Sequence, residues 1–275
     1  VYVARLLRQA CFTNVAVADR LLAEWAQLSQ VAGWLARDAG EHGLAQRYFT
    51  GGLHAAHTAG DRSVGVYLLG SMSSTTVYRG RLADGIDLGR VARDAVELAN
   101  AAHEAARSTP TAVRALAAER FANAQAAAGN TRGFHAAAEE AGTLLGTPGA
   151  GGPPVLPELV GPAVLEGELA QGALTLAGVT SRDSHRLLED AEETLSRRVT
   201  EATTPVVPGT TRRAGPGAVA AGDLDRAVPA GLTALRRLPT VRSRHCALVL
   251  RRLETDLTAL PLTHRPPALR ALHDQ

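Results

Sequence analysis

From residue 26 the apolar positions recur three and four apart. Leu28, Val31, Ala32, Leu35 and Ala39 form one such run, and Leu44, Ala45, Tyr48, Phe49, Leu53 and Ala56 form the next. That spacing gathers side chains on one face of an α-helix, where strict alternation would have meant a strand. Gly40 separates the two runs and Gly60-Asp61 closes the second, so residues 26–61 read as helix, turn, helix. Two more helical pieces precede them, VYVARLLRQA and VAVADRLLAEWA, with Asn14 placed to cap the second.

The same grammar continues. A helix is expected over 63–78, ending at GRLADG, and another over 83–106; residues 110–128 and 131–145 form a pair around Gly129-Asn130. AGDLDRAVPAGLTALRRL repeats the second-helix pattern after Gly222-Asp223. In AGEHGLAQRYF, RGRLADGIDLG, AGNTRGFHAAA and AGDLDRAVPAG a glycine turn stands four or five residues before Ala45, Gly85, Gly133 and Ala227. Two helices of a hairpin cross closely just past their turn, where a larger side chain would wedge them apart.

Proline and glycine mark the boundaries. GTPGAGGPPVLPELVGP, residues 146–162, divides an N-terminal helical-repeat array (1–145) from a C-terminal continuation (163–275). Helices are expected over 163–177 and 183–202. Residues 203–222 hold Pro205, Pro208, Gly209, Gly215, Pro216 and Gly217, which shorten or break any helix there. The fold class is therefore all-α: about a dozen helices paired as hairpins in an α-α solenoid with unequal repeats. A compact helical bundle is the alternative.

Composition agrees. Hydrophobic residues make up 45% of the chain but aromatics only 4%, so the core must be built from Ala, Leu and Val. Alanine has the strongest helix propensity, and the β-branched and aromatic residues of a sheet are too few. Charge adds little: 29 Lys+Arg against 27 Asp+Glu leaves no basic surplus for nucleic acid. Cys11 and Cys246 make no disulfide framework and fit a reducing compartment such as the cytoplasm. No apolar run approaches a membrane span. VYVARLLRQACF reads as the middle of a helix, so the numbering is expected to begin inside a longer chain.

Counted as a 34-residue unit from Ala26, the first hairpin resembles a tetratricopeptide repeat. Gly33 falls on the small position of the first helix, Ala45 and Gly52 on those of the second, and Phe49 on its aromatic position. Ser29, Ala32 and Ala36 replace the usual Trp, Leu and Tyr of the first helix. The second repeat matches at Gly85 and Ala92, with Gly89 in place of an aromatic, and the third at Phe121, Gly133 and Ala137. The signatures are degenerate.

The chain also resembles the helical C-terminal part of actinobacterial, Streptomyces-type regulators with a Cro/repressor-type helix-turn-helix at the N-terminus. The residues that carry this are AQLSQVAGWLARDAGEHGLAQRYFTGGLHAAHTAGDR, YLLGSMSSTTVYRGR, AAERFANAQAAAGNTR and AGDLDRAV with VRSRHCALVLRRLETDL. The resemblance implies a sensing or assembly half of a transcriptional regulator, contacting DNA only through a domain absent from this sequence.

Catalytic and metal chemistry leave no pattern. His54 and His57 share a helix face, but only Glu41 and His42 lie near as further ligands, so no metal or cofactor is expected. Cys246 beside His245 reads as a structural thiol, since adjacent helical residues point apart. RRAGPGAVAAGD lacks the strand and the Lys-Ser/Thr pair of a phosphate loop, and Ser71, Ser73 and Ser74 lack a nucleophile-elbow frame. Glu139-Glu140 and Glu192-Glu193 read as solvated faces. The basic cluster Arg236, Arg237, Arg242, Arg244, Arg251 and Arg252 is closely followed by Glu254 and Asp256, and reads as a charged face or partner contact.

Stacked hairpins curve, with their first helices on the concave side. The tetratricopeptide resemblance implies that outward positions of those helices hold a ligand. They are Gln27, Gln30, Trp34, Arg37 and Asp38 in the first repeat, Tyr67, Ser74, Val77 and Tyr78 in the second, and Glu119, Ala122 and Gln125 in the third. The expectation is an accessible groove in which Trp34, Tyr67 and Tyr78 converge, with Gln30 and Arg37 at its polar edge. Its occupant would be a peptide, a protein or a small-molecule effector. Trp34 serving only to fill a core gap is the competing reading. A structural oligomerisation domain, including a homo-oligomer, is the functional alternative, followed by an enzyme on an all-helical fold.

Overall fold

The computed structural model describes residues 14–82, 87–146, 162–180, 191, 193–194 and 244–259. All regular structure among them is helical, with no strand. The helices are α1 (Val15–Asp38), α2 (His42–Thr58), α3 (Arg62–Leu82), α4 (Leu88–Ala106), α5 (Thr111–Ala127), α6 (Thr131–Leu145), α7 (Pro162–Thr180) and α8 (Arg244–Thr258).

One turn is used three times. Gly40, Gly60 and Gly129 have φ of 79°, 70° and 71°. The next residue's N–H reaches back across each turn: Glu41 to the Ala36 carbonyl, Asp61 to Ala56, and Asn130 to Gln125. These glycine-ended closures satisfy carbonyls that a helix end leaves open, and a side chain would be strained in that left-handed conformation. Side-chain carboxylate and amide oxygens start the following helices. Asp61 accepts from Val64 N–H at 3.0 Å and Asn130 from Gly133 N–H at 3.1 Å. Asn14 accepts from Ala16 N–H at 2.9 Å and caps α1 as expected.

Neighbours in sequence pack as pairs: α1 with α2, α3 with α4, and α5 with α6. Each pair leans on the next through α2–α3 and α4–α5, while α3, α5 and α7 pack side by side. The small-residue register of the first hairpin is realised. Phe49 is fully buried against Gly33, where there is no room for a methyl group. A Cβ on Gly52 would stand 2.8 Å from Ser29 Cβ and 3.3 Å from the Ala26 carbonyl. Ala45, Ala92 and Ala137 are buried as well. Helix α5 lies at the centre, buried on every side by residues such as Val113, Ala115, Leu116, Ala118, Ala122 and Ala126.

Several expectations need correction. Leu28, Val31 and Leu35, three of the five residues in the opening apolar stripe, are 51%, 54% and 67% exposed. The buried face of α1 is instead Ala26, Ser29, Gln30, Gly33, Ala36 and Arg37, where the small Ala26, Ser29 and Gly33 let α2 approach closely. Helix α3 continues past 78 to Leu82, and α4 starts at Leu88 rather than 83. Gly146 caps α6, and α7 opens at Pro162, where a proline needs no partner for its missing N–H. The expected irregular stretch 203–222, Gly85, Cys11 and most of 183–202 lie outside the described residues. Helix α8 folds back on the first helices. It packs on α1 and α3, with Arg244 within 3.6 Å of Glu41 and Leu248 beside Gly40.

Candidate functional site

Side chains from α1, α3, α5 and α7 meet along a polar and aromatic seam. Glycine permits the approach: a Cβ on Gly70 of α3 would lie 2.9 Å from Arg120 Cγ of α5, and Gly172 of α7 abuts Asn123 and Phe134 with no space for a side chain. At one end, the Arg37 guanidinium lies 3.6 Å from the Trp34 ring centroid and 4.9 Å from that of Tyr78. A cation held between two ring faces is favourable, and more so out of water. Tyr67 packs beside Trp34 in the same apolar cluster. Burial raises the Tyr67 phenol pKa, and the nearby Arg120 and Arg37 charges only partly offset that.

Further along, Arg120 sits 3.4 Å from Glu119 and 3.3 Å from Glu168. Glu119 is fully buried and Arg120 is 6% exposed. Burial by itself would favour the neutral guanidine, but the Glu119 and Glu168 carboxylates outweigh it, so Arg120 stays charged. Tyr78 hydroxyl approaches Glu168 at 3.5 Å, and Asn123 donates to Glu119. An ion cluster in a packed core is costly unless every member is held by partners, and replacement by apolar residues is often neutral or stabilising.

Most of the expected groove residues do gather here, but not around open space. Trp34, Tyr67 and Tyr78 lie near one another, yet Arg37, expected at the polar edge, itself covers the indole face on which a ligand was expected to stack. Gln30, Arg37, Tyr67, Ser74, Val77, Tyr78, Glu119 and Ala122 are all buried, which corrects the accessible groove to a packed seam. Gln27, Trp34 and Gln125 keep partial exposure and Asp38 is exposed. Trp34 packs into two apolar clusters, one with Ala26, Phe49 and Leu68 and one with Tyr67 and Leu116.

Sequence reading passed over Arg120, Asn123, Glu168 and Gln171. The signal was present: Glu119-Arg120 falls between the apolar Ala115–Ala118 and Phe121-Ala122, and Gln171 is the only amide in LAQGALTLA. An isolated polar residue inside an apolar helical run must be met by a partner on another helix.

Two cavities flank the seam. The smaller, about 20 Å³, is bounded by Ser74, Tyr78, Arg120, Asn123, Gln171 and Thr175. Among the described residues, both amide atoms of Gln171 and Oδ1 of Asn123 are buried there without a hydrogen-bond partner. The larger, about 710 Å³, is lined mainly by apolar residues, including Leu88, Val91, Val96, Ala127 and Val179. Val77 and Thr175 border both.

Other candidates fall elsewhere. His54 and His57 are both exposed, and no three His, Cys, Asp or Glu side chains converge as metal ligands among the described residues. Ser73 is turned into a structural bond, donating to the Ala95 carbonyl at 2.8 Å. Glu140 is not simply solvated: it meets His103 at 3.0 Å and ties α6 to α4. Arg251 is exposed on α8, whereas Arg236, Arg237 and Arg242 lie outside the described residues. No described helix is long and apolar enough to cross a membrane. Compared with known proteins, the sequence matches no family model and no curated protein.

Proposed function

We propose that this chain is a tetratricopeptide-like array acting as a non-catalytic binding module, the sensing or assembly half of a cytoplasmic transcriptional regulator whose DNA-binding domain lies outside the sequence. The observation that carries the reading is the seam itself. Four helices distant in sequence bring aromatic and charged side chains to one inner line, at positions where apolar packing would hold the helices together as well. The partly exposed Gln27, Trp34 and Glu168 and the exposed Asp38 form the edge that a partner would meet, with the buried members holding them in place. Paired hairpins, repeated glycine turns and the Gly33–Phe49 register support the tetratricopeptide assignment, with α8 folded back on the first turn.

A peptide or protein partner suits this edge better than a small molecule, because Arg37 already fills the space over the indole. Selection of binders from a random peptide library tests the reading. Selected peptides should lose at least tenfold in affinity on Gln27→Ala with Asp38→Ala, neither of which empties a core site. Unchanged affinity would overturn it. The coding sequence upstream of Val1 tests the regulator assignment, which requires a helix-turn-helix there.

A second reading, self-association, is favoured by one observation: Leu28, Val31 and Leu35 form an exposed apolar stripe on α1. Sedimentation of the Leu28→Glu, Leu35→Glu variant separates the two. A dimer that becomes a monomer supports self-association, and a monomer before and after excludes it.

A further inference from the structure

Independently of any partner, we infer that one water molecule is a resident member of the seam, held in the small cavity between α3, α5 and α7 by the side-chain amides of Gln171 and Asn123. Gln171 is 5% exposed, and its Nε2 and Oε1 are buried without a partner among the described residues, as is Asn123 Oδ1. Buried polar atoms of this kind are rare and call for an occupant. Gly172 brings them together: with no side chain there, the Asn123 oxygen comes up against α7 beside Gln171. The Asn123 amide is fixed in that sense, because its N–H₂ donates to the fully buried Glu119 carboxylate.

The walls do not meet the demand themselves. Two oxygens need donors, but Ser73 donates to the Ala95 carbonyl and Thr175 to that of Gln171, each at 2.8 Å. Tyr78 is turned to Glu168, and the Arg120 guanidinium to Glu119 and Glu168. The occupant must therefore bring two donors and one acceptor in a single small group. Water does so: it donates to Gln171 Oε1 and Asn123 Oδ1 and accepts from Gln171 Nε2. Three hydrogen bonds are the usual number for a buried water.

Other small occupants fit less well. A metal cation offers no acceptor to Nε2 and would sit beside the charged Arg120, while a halide offers no donor to the two oxygens. Size agrees with water: the cavity is about 20 Å³, above the roughly 10–15 Å³ that one molecule needs. Held this way, the water ties α5 to α7 where no side chain of either reaches the other's amide, and a bridging water of this kind is nearly as good as a direct hydrogen bond.

Oxygen-17 relaxation dispersion of the whole chain, which counts waters held longer than molecular tumbling, tests this together with a crystal structure. Gln171→Leu removes two of the three anchors and should lower the count of long-lived waters by one relative to wild type. The wild-type crystal should show one density peak within about 2.5–3.2 Å of both amides, absent from Gln171→Leu. An unchanged count in folded Gln171→Leu overturns the inference, as does a wild-type cavity without a peak or with one that scatters as an ion. If Gln171→Leu does not fold, the wild-type density decides alone.

Discussion

Arg120 lies with its side-chain stem across Gly70, so close that a methyl group at residue 70 would stand 2.9 Å from its Cγ. The glycine sets how near α5 comes to α3, and that distance sets where the guanidinium reaches Glu119 and Glu168. Gly70→Ala should therefore destabilise the fold by about 1–3 kcal/mol, the usual cost of overpacking. Gly51→Ala is the control. Nothing lies near its Cβ position, and it should gain about 0.5–1 kcal/mol from helix propensity. Urea unfolding of the two variants reads both; equal effects would mean that helix spacing at Gly70 is not limiting.

Removing the Arg120 cation should cost more than its contacts alone. Arg120→Met leaves the fully buried Glu119 carboxylate without the cation beside it, and breaking such a pair typically costs about 3–5 kcal/mol. Glu119→Gln in the Arg120→Met background should restore at least half of the loss, because the uncompensated charge is then gone. Independent, additive effects in the double-mutant cycle would contradict this coupling.

His42 makes stability depend on pH in a stated direction. Burial foremost, then the Arg37 and Arg79 charges, lower its pKa below the ordinary 6.5, and Glu41 only partly opposes them. With a folded-state pKa below the unfolded one, the unfolded chain binds more protons as pH falls through 6.5. The contribution is thus absent above pH 6.5 and becomes destabilising from there down through the folded pKa. Wild type should lose stability relative to His42→Gln between pH 7 and pH 5. Parallel stability curves for the two would refute it.

The legible part of the fold was what local chemistry decides. Glycine turns at 40, 60 and 129, the Asn14 cap and the Gly33–Phe49 register are each set by residues close in sequence, and each is found. What failed depends on neighbours remote in sequence. Leu28, Val31 and Leu35 have a core-like period, yet the face of α1 that α2 and α3 reach is the one with Gly33 and Arg37. The nearness of Trp34, Tyr67 and Tyr78 was legible from repeat register. Their burial was not, because nothing in the local pattern says that Arg37 folds over the indole. Arg120, Glu168 and Gln171 become a site only when three helices are brought together by Gly70 and Gly172.

Trp34 carries both packing and the position of Arg37, so its loss should be felt in stability first. Trp34→Ala should cost about 2–3 kcal/mol, somewhat below the range for emptying a fully buried aromatic site, because the indole is only half-buried. Trp34→Phe, which keeps a ring under the guanidinium, should cost less than half of that. Thermal and urea unfolding check it. A loss below about 1 kcal/mol for Trp34→Ala would mean that the indole is not part of the core.

The most direct test of the binding-module account is a hydrogen-exchange footprint of the wild-type chain with and without a saturating selected peptide. Slowed exchange over 27–38 and over the turn of α7 around Glu168, with α2 and α4 unchanged, is the expected result. Protection confined to α2 and α4, or no protection at saturation, would contradict recognition by the inner helices.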